Sequence, residues 1–210
     1  KALAECRVSV APLRLSNPQL PVSVFTDQSV ENFAPIDVVT LVFCKNPFKH
    51  KVDVLSLSPY EQSVFLDADT YIVGDILPIF NSLNDADLAL ANSPELRFFG
   101  GGLQCVRSSA PSRYNTGVVG FTKSEAFRAF QARWAAVVAA RSDSIVSAGH
   151  FCDQWAFNTL VANGAITDSM QLHELDPLQW NVRPYVIREI RRRAQSADPR
   201  IFHGRYWEFE

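Results

Sequence analysis

Short apolar runs of β-branched and aromatic residues alternate along this chain with segments of helical spacing, and that alternation limits the fold more than any other feature. Residues 22–26, bounded by Pro21 and Asp27, and residues 37–43 (DVVTLVF) read as buried strands. Residues 63–66 (SVFL), 87–91 and 115–121 (NTGVVGF) read the same way. Between them, residues 1–16, 48–57, 76–83, 123–141 and 152–163 read as helices, several closed by breakers such as Asn17-Pro18, Ser58-Pro59 and Gly164. Strands alternating with helices predict an α/β fold with a mostly parallel sheet sandwiched by helices. Ligands of such sheets gather beyond the carboxyl ends of the strands. Asp67 and Asp69 fall at such an end. Residues 92–113, with Gly100-Gly101-Gly102, read as a long irregular stretch, suited either to a cover over a bound ligand or to a plain surface loop.

A chain of 210 residues can bury one sizeable α/β core but not two, so residues 1–210 read as a single domain. Domains of this class usually begin with a strand, whereas this chain opens on a helix. A first strand and its turn are therefore expected to precede residue 1. Twenty basic residues against twenty-two acidic ones leave a net charge of −2, which argues against a nucleic-acid partner. No apolar run approaches the roughly 18 residues that span a bilayer, and no signal-peptide pattern opens the chain. Cys6, Cys44, Cys105 and Cys152 lie far apart, without zinc-like spacing, and read as free thiols in a reducing compartment. These features together describe a soluble, cytoplasmic protein.

The chemistry concentrates in FLDADTYIV. Two aspartates at i and i+2, just past a buried strand, can both reach one hard cation where the backbone turns. Aspartate is also common at such turns for its local hydrogen bonds, so the pair alone leaves both readings open. Four further elements follow in order. Lys51 lies sixteen residues before Asp67; then come Tyr114-Asn115-Thr116-Gly117-Val118, Cys152-Asp153-Gln154-Trp155-Ala156-Phe157-Asn158, and Phe202-His203-Gly204. Taken alone, Lys51 reads as a solvated helix residue, His203 as a core histidine, Asn115 as a turn former and Asp153 as a helix N-cap.

Taken in order, the five elements resemble the glycosyltransferase family that contains glycogenin and bacterial galactosyltransferases, family eight, which has the GT-A fold. The resemblance spans residues 51–204. It departs from the family at the end, where Gly204 follows His203 at once and Arg205-Tyr206-Trp207 stands in place of a Lys-Pro-Trp element. The resemblance implies a nucleotide-sugar donor, a UDP-sugar, and a Mn2+ or Mg2+ ion held by Asp67, Asp69 and His203. It places Lys51, Asp67, Asn115, Thr116, Asp153, Gly204 and Arg205 on the donor, with Asp153 on sugar hydroxyls and Gln154 near the anomeric carbon. It also puts Trp180-Asn181 on the acceptor side, where packing plus a turn is an equal reading. The acceptor is a glycan, a protein or a small molecule.

The chemistry fits that assignment. A nucleoside diphosphate leaves poorly unless its developing charge is neutralised, and a cation does so directly. Two carboxylates, an imidazole and phosphate oxygens suit manganese or magnesium, the imidazole favouring manganese. The family implies retention of anomeric configuration. Since no residue stands out as a carboxylate nucleophile, front-side attack by the acceptor hydroxyl is expected. A sugar nucleotidyltransferase and a catalytically silent nucleotide-sugar-binding module stay open as rivals. Arg188, Arg191, Arg192, Arg193 and Arg200 form a basic cluster that reads as a solvated face or as an attractor for an anionic partner.

Overall fold

The structure, a computed structural model, describes residues 2–27, 36–41, 47–92, 95–99, 102–106, 114–140, 152–166, 169–184 and 198–204. Its centre is a four-stranded mixed sheet. This contains β3 (Gln62–Leu66), β5 (Leu88–Asn92), β8 (Tyr114–Thr122) and β9 (Leu172–Leu175) in the order β3-β8-β5-β9. β8 runs antiparallel to both β3 and β5, while β9 joins β5 in parallel. The expected α/β sandwich is therefore present. Parallel pairing holds at β5–β9 and between β1 (Ser23–Thr26) and β2 (Val38–Leu41), and β8 makes the sheet mixed.

Strand periodicity sends alternate side chains to two separate cores. On one face Leu88, Leu90, Val119 and Phe121 meet α2 (Pro47–Leu55), α4 (Glu125–Ala139) and α5 (Cys152–Ala162) through Val52, Leu55, Phe127, Phe130, Trp134, Val138 and Phe157. The rings of Trp134 and Phe157 pack edge to face at 5.0 Å. On the other face Ala89, Ala91 and Val118 meet α1 (Ala2–Ser16) and α3 (Leu77–Ser82) through Val10, Leu13, Ile79 and Leu83. Covering on both faces explains why Thr116 to Phe121 of β8 are buried without a break. The caps follow the expected chemistry, with the Ser124 hydroxyl accepting from Phe127 N at 3.1 Å to start α4.

The stretch expected to be irregular instead contains β6 (Glu95–Phe99) and β7 (Gly102–Val106), paired antiparallel. Alternating apolar residues on either side of a glycine run are a hairpin signal, which the reading of this stretch as irregular passes over. Gly100 and Gly101 lie outside the described residues.

One small pairing matters most for function. β4 (Thr70–Ile72) continues straight from Asp67-Ala68-Asp69 and pairs antiparallel with β10 (Ile201–His203), His203 lying opposite Thr70. Behind β10, a bridge to Val182 ties in the turn after α6 (Pro177–Trp180): Val182 N donates to Ile201 O and His203 N to Val182 O, both at 2.9 Å. Residues more than a hundred positions apart in sequence thereby meet at the end of β3.

Candidate metal centre

β3 ends at Leu66, and the chain turns at Asp67. The turn is held from three sides. Asp67 N donates to Gly117 O at 2.9 Å, Thr70 N and the Thr70 hydroxyl donate to Asp67 O at 3.0 and 2.8 Å, and Gly204 N donates to Asp69 O at 2.9 Å. Gly204 has φ 146°, a conformation that favours glycine, which accounts for this residue directly after His203.

Asp67, Asp69 and His203 each offer a ligand atom within 4.8 Å of one another. His203 Nε2 lies 3.5 Å from Asp67 Oδ2 and 3.5 Å from Asp69 Oδ1. Neighbouring ligands of an octahedral cation at ~2.1 Å stand about 3 Å apart, so the three groups need only small adjustments. The ring is buried, at 5% exposure, whereas both carboxylates are partly open to solvent. A hard cation with oxygen-rich coordination and one imidazole fits this donor set. The Asp69 carboxyl is held below its usual range, first by the adjacent His203 imidazole and further by the Arg183 guanidinium, against a contrary push from burial.

Gly117 makes room for that ring. A methyl group there would lie 1.8 Å from His203 Cε1 and 2.2 Å from Nδ1. The strand motif Asn115-Thr116-Gly117 thus serves three neighbours. Asn115 Oδ1 accepts from Gly117 N at 2.9 Å and from Asn181 Nδ2 at 3.0 Å; Thr116 Oγ1 donates to Asp153 Oδ2 at 2.6 Å; Gly117 gives space and the carbonyl that holds Asp67.

Lys51, midway along α2, joins the two halves of the site. Its Nζ lies 2.8 Å from Asp67 Oδ1 and 3.0 Å from Asp153 Oδ2, and 5.4 Å from the centre of the Phe65 ring. Burial works against the Lys51 charge, yet Asp67 and Asp153 outweigh it and raise its pKa. Burial likewise works against ionised Asp153, but the Lys51 ammonium and the Thr116 hydroxyl outweigh that and lower its pKa. Asp153 sits within the first turn of α5, its carboxylate turned to Lys51 and Thr116. Its carbonyl accepts from the indole of Trp134 at 2.8 Å.

Of the residues expected at the site, Lys51, Asp67, Asp69, Asn115, Thr116, Asp153, His203 and Gly204 come together here. Gln154 follows Asp153 on the first turn of α5 and is half-buried. Arg205 lies outside the described residues, as do Arg188, Arg191, Arg192 and Arg193. Arg200, from the same basic cluster, pairs with Asp198 through Nε at 2.8 Å and packs against Gly74. Three participants were not singled out for these roles from sequence: Trp134, Arg183 and Asn181. A buried tryptophan on a helix gives no local sign of its indole partner. For Asn181 the sequence leaves acceptor contact and packing plus a turn as equal readings; its Oδ1 lies 2.8 Å from His203 Nδ1.

No protein-family model matches the chain, and no curated protein matches it in sequence. Solved structures do share its fold. The WbbM bifunctional glycosyltransferase superposes with a TM-score of 0.62 at 13% identity, over 96% of this chain and 43% of that one. Glycosyltransferase GlyE of Streptococcus pneumoniae TIGR4 gives 0.63 at 15% identity, over 96% and 51%. Mouse xyloside xylosyltransferase 1 gives 0.57 at 14%, over 99% and 93%. The chain spans about half the length of the first two. Likeness at these identities is one of fold, and the fold is that of GT-A glycosyltransferases.

Proposed function

We propose that this chain is a metal-dependent glycosyltransferase domain, related to family eight, that moves a sugar from a UDP-sugar to an acceptor hydroxyl with retention of configuration. The observation behind this reading is the convergence of Asp67, Asp69 and His203, delivered by β3, the following turn and β10, on one small volume. A structural turn would need neither the second carboxylate nor a buried imidazole aimed at both. A divalent cation bound there, manganese by preference, supplies positive charge to the departing diphosphate.

The chain's own groups divide the remaining work. Lys51 contacts both carboxylates, so its ammonium stands between the metal side and the sugar side of the site, where it adds charge near the donor phosphate. Asp153, kept ionised by Lys51 and Thr116, accepts hydrogen bonds from sugar hydroxyls and orients the ring. Gln154, one residue on, lies toward the anomeric carbon. Front-side attack fits this division: the acceptor hydroxyl attacks from the face the diphosphate leaves, and a phosphate oxygen takes its proton.

Calorimetric titration with UDP and with GDP, each with and without Mn2+, tests the reading. UDP is expected to bind only with manganese, and Asp69→Ala to abolish that binding. Binding of GDP but not UDP would move the chain to a neighbouring GT-A family. No nucleotide binding under any condition would sink the proposal, and an inverted product linkage would sink its stereochemical part. Release of pyrophosphate from a nucleoside triphosphate and a sugar phosphate would instead identify a nucleotidyltransferase.

A further inference from the structure

An imidazole can lend a lone pair to a cation through only one nitrogen, and the other must then carry the proton. His203 Nε2 faces Asp67 and Asp69, while Nδ1 lies 2.8 Å from Asn181 Oδ1. The amide of Asn181 therefore decides the tautomer, provided that its own orientation is fixed.

That orientation can be traced from a backbone group. Gly117 N–H can only donate, so the Asn115 atom 2.9 Å from it is the carbonyl oxygen. The same oxygen is met by Asn181 at 3.0 Å, and only an NH2 can serve there. The remaining terminal atom of Asn181 is then its oxygen, an acceptor, and His203 Nδ1 must hold the hydrogen. Asn181 and His203 are 2% and 5% exposed, so water does not readily replace these partners. Without the anchor, the Asn181 amide could turn over and present NH2 to Nδ1. The proton would then move to Nε2, which would have no lone pair to give.

We propose that Asn181, oriented by Asn115 and the Gly117 amide, is a positioning residue that holds His203 with its proton on Nδ1 and its Nε2 free for a divalent cation. Outer partners of this kind fix the ring's tautomer and direction in metal sites generally. The inference rests on the metal-centre reading above. It also gives Asn181 a role distinct from contact with the acceptor.

Manganese titrations of the 210-residue chain, without nucleotide, separate the possibilities. Asn181→Leu is expected to weaken Mn2+ binding about 10–100-fold. In a His203→Ala background, Asn181→Leu is expected to add nothing, because its effect runs through the ring. Nitrogen-15 spectra of labelled histidine in the metal-free chain, taken above the imidazole titration range, should show His203 protonated on Nδ1. Wild-type affinity in Asn181→Leu overturns the inference, and so does an undiminished loss in the His203→Ala background or an Nε2–H tautomer in the spectra. Unchanged manganese binding in His203→Ala alone overturns the metal-centre reading itself and the inference with it.

Discussion

At Gly117 a single missing methyl group decides whether the histidine fits. The residue sits in β8 with no positive φ, so the backbone would accept alanine; the obstacle is the ring of His203, 1.8 Å from where the methyl would stand. Gly117→Ala is expected to cost about 1–3 kcal/mol of stability, the usual range for overpacking. It should also lower Mn2+ affinity more than about tenfold by displacing a ligand. Adding His203→Ala should restore the melting temperature but not the manganese binding, since the ring is what the methyl meets. Thermal melts and manganese titrations of the three variants check this, and normal manganese binding by Gly117→Ala would remove His203 from the ligand set. At this scale the sequence was readable for residue types with a chemical signature. Two aspartates after an apolar run and a histidine before glycine gain a metal reading only in order with the other elements, since each alone also fits a turn or a core position. Asn181 gains none even then, because an asparagine after a tryptophan carries no sign of which distant side chain its amide will meet.

Apart from the turn that bears Asp67 and Asp69, regular elements carry the site, and a buried side-chain amide makes one joint between them. Asn158 of α5 accepts from Tyr114 N at 2.7 Å and donates to Tyr114 O at 2.8 Å and to Gln154 O at 2.8 Å. It thereby fastens the helix that bears Asp153 to the strand that bears Asn115, Thr116 and Gly117. Asn158→Leu keeps the volume but leaves the Tyr114 amide and carbonyl without this partner in the interior. A loss of about 1–3 kcal/mol in urea unfolding is expected, the range for a lost buried hydrogen-bond partner. A loss below about 1 kcal/mol would mean that α5 and β8 are joined by packing alone. The long helices and apolar strands were legible because their periodicity is local, as in α4 and β8. The β6–β7 hairpin was missed where glycines masked a short alternating pattern. β4 and β10 are three residues each, and their pairing is set by partners more than a hundred positions away, so no local window reveals it.

Across the described fold runs a charged network in which Lys51 joins α2 to Asp67 at the end of β3 and to Asp153 on α5. Its contribution to stability depends on pH at both ends. Asp69 and Asp153 have folded pKa values below their unfolded value of about 3.9, so their stabilisation is present above roughly pH 4 and is lost as pH falls through the folded values. Lys51 has a folded pKa above its unfolded value of about 10.4, so its share is present below that pH and is lost as pH rises through the folded value. The network therefore stabilises the fold across the intervening neutral range. Lys51→Met removes the ammonium and leaves Asp153, at 4% exposure, as a buried carboxylate without its cation. Breaking such a pair is expected to cost about 3–5 kcal/mol at pH 7. Burial then dominates at Asp153, its pKa rises, and the difference between variant and parent should shrink as pH falls and the carboxyl takes up its proton. Urea midpoints for both chains between about pH 3 and 7 measure that difference. A gap that stays constant over the range would mean that the loss does not come from the Lys51–Asp153 ion pair.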